Sequence, residues 1–345
     1  MLTDQRLRVL VVDDSMVFRR ALSRAFGELP NVELVGTAAN GGEALQKIKS
    51  LRPDLVTLDL EMPGMDGLTT LRAMREQGMS NRVVVLSALG GERRTVEALC
   101  LGADDFIQKP SSNDAMSTLR QLLHKAVEQF HPGRGAAGRT PRAAVIQARP
   151  CRDIELVVVG VSTGGPNALP EMLAQLPANL RVPVLIVQHM PATFTRLLAE
   201  RLNSKCAIAI SEAVDQEPLR PGQVYIAPGD FHMEVVGSSK APKIHLQRGP
   251  HENGCRPAAD VLFRSAAQVY GARCLSVIMT GMGKDGLEGV RALSAQGALC
   301  LAQDQQSCAV WGMPRFIVEN RLAAEVHPPA ELGRRIAELV NQKGT

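Results

Sequence analysis

Through the first 130 residues, short unbroken apolar runs alternate with longer stretches in which apolar residues recur every three to four positions. Leu7–Val12, Val32–Thr37, Leu55–Leu58, Val83–Ser87 and Asp105–Lys109 are the runs. Runs this short and this continuously apolar suit parallel strands covered on both faces. Between them the spacing predicts helices over Met16–Leu29, Gly42–Ser50, Leu68–Gln77, Glu92–Leu101 and Asn113–Phe130. In the first, Val17, Ala21, Leu22, Ala25 and Phe26 form one stripe. Regular strand–helix alternation predicts a doubly wound α/β sheet of flavodoxin-like order.

The pattern resumes after residue 153. Ile154–Gly160 and Val182–Gln188 read as strands, Pro257–Tyr270 as a helix, Cys274–Met279 as a strand, Leu287–Ala295 as a helix and Ala298–Ala302 as a strand. Ala330–Asn341 closes as a helix with Leu332, Ile336, Leu339 and Val340 inward. Residues 206–250 are instead rich in β-formers and turns, with strand-like Tyr225–Ala227, Met233–Val236 and Ile244–Leu246. The expectation is a second doubly wound α/β domain with a β-rich insertion.

The segment between the halves, HPGRGAAGRTPRAAVIQARPCR, has neither period. It buries too little apolar surface to offset its ordering entropy. It therefore reads as a flexible linker over 131–152, separating domains at 1–130 and 153–345. This also relocates the charge. The chain carries +4 from 39 basic and 35 acidic residues. The linker's five arginines leave 34 against 35, a net of −1. The folded domains thus lack a basic excess, and aromatics are only 3%, which argues against nucleic-acid binding. No apolar run reaches the roughly 18 residues of a membrane span, and the N-terminus lacks a signal-peptide pattern. The seven cysteines form no C-x-x-C pair, so reduced thiols in a cytoplasmic protein are expected.

Ligands of a doubly wound sheet bind at the carboxyl ends of its strands. In the first domain Asp13 and Asp14 follow the first strand, Asp59 ends the third, Ser87 the fourth, and Lys109 the fifth. One strand-end acid is ordinarily a cap or faces water. Acids from two strands, with a serine and a lysine from two more, suit a hard divalent ion and a phosphoryl group. The motifs VVDDS at 11–15, LDLEMPGMDGL at 58–68, SA at 87–88 and KP at 109–110 resemble the receiver domains of bacterial response regulators. The resemblance implies that Asp59 is the phosphoacceptor and that Asp13, Asp14 and Asp59 hold Mg²⁺. It also implies that Ser87 and Lys109 contact the phosphoryl group, and that Phe106 is an aromatic switch.

In the second domain GVSTG at 160–164 stands between a strand and a helix. It fits G-x-S-x-G, in which a tight turn presents a serine; a helix-start serine is more often only an N-cap. No G-K-[ST] follows, so a P-loop is excluded. His189 directly follows the second strand, at the same sheet edge, and is a candidate general base. TGMGKDG at 280–286 follows a third strand. Gly281, Gly283 and Gly286 spell G-x-G-x-x-G, with Asp304 where a ribose-binding acid would lie, so a dinucleotide site competes. Asp285 opposes it, since a carboxylate in that loop repels a pyrophosphate. Asp285 would instead orient His189.

Taken together, GVSTGGP, VQHMPATFT, IAPGD, RPAADVLF, TGMGKDG and LAQDQQSCAVWGMPR resemble the CheB-type chemotaxis protein-glutamate methylesterases over nearly the whole chain. The resemblance implies that Ser162 is the nucleophile, His189 the base, Asp285 its partner and the Met282 N–H an oxyanion donor. Thr163 and His232 are further candidates for the pocket. It implies hydrolysis of glutamyl methyl esters on methyl-accepting chemoreceptors, and deamidation of receptor glutamines, with no cofactor for the esterase step. A CheA-type histidine kinase would be the phosphate donor. Neither nucleic acid nor direct membrane insertion is expected. The unphosphorylated receiver is expected to block the active-site edge.

Overall fold

The computed structural model describes residues 6–88, 90–109, 115–130 and 153–342. The expected linker, 131–152, lies outside them. Two compact units divide the chain, Met1–Gly138 and Arg139–Thr345.

The first unit runs β1 (Leu7–Val12), α1 (Met16–Gly27), β2 (Val32–Ala38), α2 (Gly41–Leu51), β3 (Leu55–Asp59), α3 (Gly67–Glu76), β4 (Arg82–Ser87), α4 (Glu92–Cys100), β5 (Asp105–Gln108) and α5 (Ala115–Phe130). The sheet is parallel in the order β2-β1-β3-β4-β5. Its central strands are buried along almost their whole length, as their unbroken apolar runs require. Side chains set the helix starts. Ser15 caps α1 by accepting the Phe18 N–H at 3.3 Å. Asn40 accepts the Glu43 N–H, while Glu43 accepts the Ala39 N–H, a reciprocal cap. Gly67 opens α3 where a Cβ would collide with the Asp59 carbonyl. Only glycine lets this helix start so close to β3.

The second unit runs β6 (Leu156–Val161), α6 (Gly165–Leu173), β7 (Val184–Gln188), α7 (Ala192–Asn203), β8 (Ala209–Glu212), β9 (Gln223–Ile226), β10 (His232–Ser238) and β11 (Ala241–Gln247). It continues with α8 (Ala259–Tyr270), β12 (Cys274–Ile278), α9 (Leu287–Ala295), β13 (Leu299–Gln303), α10 (Met313–Glu319), β14 (Glu325–His327) and α11 (Pro329–Asn341). The sheet order is β14-β13-β12-β6-β7-β9-β8, with every pair parallel.

Part of the β-rich stretch therefore belongs to the main sheet. β8 and β9 extend it past β7, and β10 and β11 alone form a separate antiparallel hairpin. The partition follows from connection. β10 and β11 are joined by a tight turn, whereas β8 and β9 need crossovers to lie parallel. α7 is a further helix, favoured by Phe194, Leu197, Leu198 and Leu202 on one buried side. β12, β6 and β7 are central and buried throughout, so their carboxyl ends provide a rigid platform.

Candidate active site

Ser162, His189 and Asp285 follow three neighbouring strands, β6, β7 and β12, at one edge of the sheet. The turn after β6 is clamped at both ends. The Ser162 N–H donates to the Thr280 carbonyl at 2.9 Å, and its own carbonyl accepts the Gly165 N–H at 2.8 Å and the Gln188 amide at 2.9 Å. Gly164 adopts φ +79° and leads directly into α6. A Cβ on Gly165 would strike the Gln188 side chain, so glycine is needed for strand and helix to meet so tightly. A Cβ on Gly281 would come 2.7 Å from that of Ser162. The 281–286 loop thus lies against the serine. Among the described residues, the Met282 N–H has no protein acceptor.

His189 Nε2 donates to Asp285 Oδ2 at 2.7 Å. Asp285 is 2% exposed and sits at the N-terminus of α8. It accepts the Ala259 N–H at 2.6 Å, the Asp260 N–H at 3.1 Å and the Asn253 amide at 3.0 Å. Burial alone would raise its pKa. The imidazole and the helix N–H groups outweigh burial and hold the carboxyl below its ordinary value.

No hydrogen bond joins the Ser162 hydroxyl to His189 among the described residues. The other ring nitrogen, Nδ1, faces the Cys255 thiol at 3.6 Å. Burial pulls the His189 pKa down, but Asp285 and Cys255 more than reverse it and lift it to about 9. A general base must be neutral to take a proton, so for His189 in that expected role a raised pKa would shift activity to higher pH. We expect kcat/KM to climb through pH 7 toward pH 9. Cys255→Ala should move that limb to lower pH. A pH–rate profile of both proteins checks this.

Gly281 and Gly286 serve packing, while Gly283, at φ +83° with open space around it, serves the turn. A Cβ at Gly281 would meet Met313 Sδ at 2.5 Å, and one at Gly286, where φ is +89°, would meet Ile278 at 2.5 Å. The Asp285 carboxylate is engaged inside the loop. Asp304 accepts the Ser307 N–H at 3.1 Å in a local turn. The loop is therefore unsuited to a pyrophosphate. His232 is likewise occupied: Nε2 donates to the Pro250 carbonyl at 2.9 Å, and Nδ1 accepts the Ala258 N–H at 3.2 Å. It ties the hairpin to α8 and does not join the triad candidates. Thr163, half-buried, accepts the Thr280 hydroxyl on its carbonyl at 3.0 Å.

In the first unit, oxygens of Asp13, Asp14 and Asp59 lie within 4.8 Å of one another. Asp13 and Asp59 are buried and Asp14 is exposed. Lys109 Nζ bridges Asp13 at 2.8 Å and Asp59 at 2.7 Å. Burial alone would lower the lysine pKa, and these ion pairs more than reverse it. Burial pushes the Asp59 carboxyl up against the pull of Lys109. Ser87, 3% exposed, accepts the Thr95 hydroxyl at 2.6 Å. Phe106 is half-buried on β5, opposite Val85. An all-oxygen set with carboxylates from two strand ends fits a hard divalent cation such as Mg²⁺.

A family model described as CheB methylesterase matches residues 157–336, and one described as response regulator receiver domain matches 9–121. A protein-glutamate methylesterase/protein-glutamine glutaminase from Nocardioides sp. is 43% identical over 349 residues, spanning 96% of this chain and 94% of that protein. Another so named, from Trichodesmium erythraeum, is 40% identical and spans 97% and 99%. The chain belongs to the CheB methylesterase family. The crystal structure of the Thermotoga maritima CheB methylesterase catalytic domain matches with a TM-score of 0.53 and 40% identity, covering 54% of this chain and 99% of that one. A receiver domain accompanies the CheB catalytic fold in this chain, as the sequence motifs imply.

Within this CheB family member, three groups at the site were given no role from sequence: Asn253, Cys255 and Asp260, the last inside RPAADVLF. Each meets its partner across intervening helices and strands, through packing that local sequence does not record. The local signals are Asn253, with φ +53°, directly before Gly254, and Asp260 within RPAADVLF. No helix among the described residues is long and apolar enough to cross a membrane.

Proposed function

We propose that this chain hydrolyses glutamyl methyl esters on methyl-accepting chemoreceptors and deamidates receptor glutamines, under control of receiver phosphorylation. The observation that carries the reading is the buried His189–Asp285 pair at 2.7 Å, set one strand from the Ser162 turn. Ser162 Oγ attacks the ester carbonyl carbon as His189 takes its proton. Nε2 is committed to Asp285, so Nδ1 is the accepting nitrogen and the Cys255 thiol yields its place to the serine. The Met282 N–H donates to the oxyanion. The proton on Nδ1 passes to the leaving methoxide, methanol departs, and an acyl-enzyme remains. Water then adds with His189 again as base, and Ser162 is regenerated. With a glutamine substrate, ammonia leaves instead. The chemistry runs on side chains and backbone N–H groups of this chain alone. The test is methanol release from methylated receptor and ammonia release from the amidated form. Neither product would sink the reading.

The receiver takes its phosphoryl group on Asp59 from a histidine kinase in the cytoplasm. Asp13, Asp14 and Asp59 would hold Mg²⁺, which neutralises charge around the phosphoryl group when bound. Lys109 and Ser87 lie at strand ends from which they would contact that group, and Phe106 would report the change along β5. Phosphorylation relieves a restraint that the receiver places on the esterase. A tenfold activation needs only about 1.4 kcal/mol of bias between two states. Asp59→Asn should abolish the response to a small acyl phosphate donor and leave unstimulated methanol release near normal. Rates with and without the donor decide this, and full activation of the variant would refute the assignment.

A further inference from the structure

Asp285 is one of two carboxylates buried side by side. Asp260, 2% exposed, lies on the first turn of α8, whose N–H groups bind Asp285. One side chain joins them: the Asn253 amide nitrogen donates to Asp285 Oδ1 at 3.0 Å and to Asp260 Oδ2 at 2.9 Å. Asp260 is held on its other side by the Gly289 N–H of α9 at 2.7 Å. We infer that Asn253 is a positioning residue for the esterase reaction, keeping the Asp285 carboxylate charged and aimed at His189 beside a second buried acid. This inference rests on the triad reading above.

The physical argument is a competition for charge. Two carboxylates this close in a buried site tend to share a proton. Burial, with the Asp285 charge added, lifts Asp260 to about 6. The other ionisable groups facing the pair are His189, Glu252 and Arg264, the last paired with Glu252 at 2.6 Å. Arg264 donates to neither aspartate. Asn253 is the side chain whose two amide protons reach both acids at once. Without them each carboxylate binds a proton more readily. A protonated or turned Asp285 no longer holds the imidazole.

Asn253 has φ +53°, so its backbone role must be separated from its amide. Asn253→Gly preserves the left-handed backbone and removes only the amide; Asn253→Ala disturbs both. The full-length wild type and both variants are assayed for kcat and KM on methylated receptor from pH 6 to pH 9. Their aspartate carboxyl carbons are titrated by ¹³C NMR, with Asp260→Asn assigning the signals. Asn253→Gly should lose about tenfold in kcat with KM little changed, a factor of roughly 1.4 kcal/mol. The loss should be largest at acid pH, and the carboxyl titrations should move upward. A variant with wild-type kcat at every pH and unmoved titrations overturns the inference and leaves Asn253 a turn residue. Should the wild type release no methanol while the titrations still move in Asn253→Gly, the esterase reading fails and the hold on Asp285 stands.

Discussion

Ser162→Ala should lower methanol release by several orders of magnitude; removing the nucleophile of a serine protease triad costs about 10⁶ in kcat. The fold should be untouched. What binds Ser162 into the turn is its backbone: the N–H to Thr280, and the carbonyl to Gly165 and Gln188. Alanine retains all three. The hydroxyl makes no hydrogen bond among the described residues, so its loss orphans no partner. Alanine also adds no volume against Gly281, where space is tightest. Turnover on methylated receptor, with Tm measured alongside, checks the prediction. Retention of most activity at an unchanged Tm would show that Ser162 is not the nucleophile.

Asp285→Asn should cost about 10⁴ in kcat, the scale seen when a triad aspartate is made an amide and the histidine is held in the wrong tautomer. Here a second penalty adds to it. Four donors converge on this carboxylate: His189 Nε2, the Asn253 amide, and the N–H groups of Ala259 and Asp260. An asparagine must turn its NH₂ toward some of them. Each unmatched buried donor costs roughly 1–3 kcal/mol, so Tm should fall as well as kcat. A loss of stability without a loss of turnover per folded molecule would remove Asp285 from the catalytic machinery. The two substitutions therefore differ in kind. Ser162→Ala separates chemistry from stability, and Asp285→Asn couples them.

The family comparisons and the fold agree with the strand–helix alternation and the motifs, and the strand-end residues meet for a reason of locality. Asp13, Asp14 and Asp59 converge because each ends or follows a parallel strand, and parallel strands place their carboxyl ends together. The same rule brings Ser162 and His189 to one edge. The unbroken apolar runs of β1, β3, β4, β6, β7 and β12 declare buried parallel strands without knowledge of their neighbours. The strands β10 and β11 were legible as β-forming runs, and their pairing as a hairpin came from the fold. The membership of β8 and β9 in the main sheet was not legible, because pairing across a crossover leaves no mark on local period.

The sequence by itself determined the strand–helix alternation, the residue types at each strand end and the motifs that carry family membership. Tertiary structure alone decided which nitrogen of His189 meets Asp285, and that Cys255 rather than Ser162 faces the other. It alone brought Asn253 and Asp260 to Asp285, across 32 and 25 residues of chain. Local spacing sets which way a side chain leaves a strand or helix. The buried network around Asp285 is set instead by where α8 begins over the sheet edge. That is a property of the packed domain, in which the large majority of buried donors and acceptors find partners.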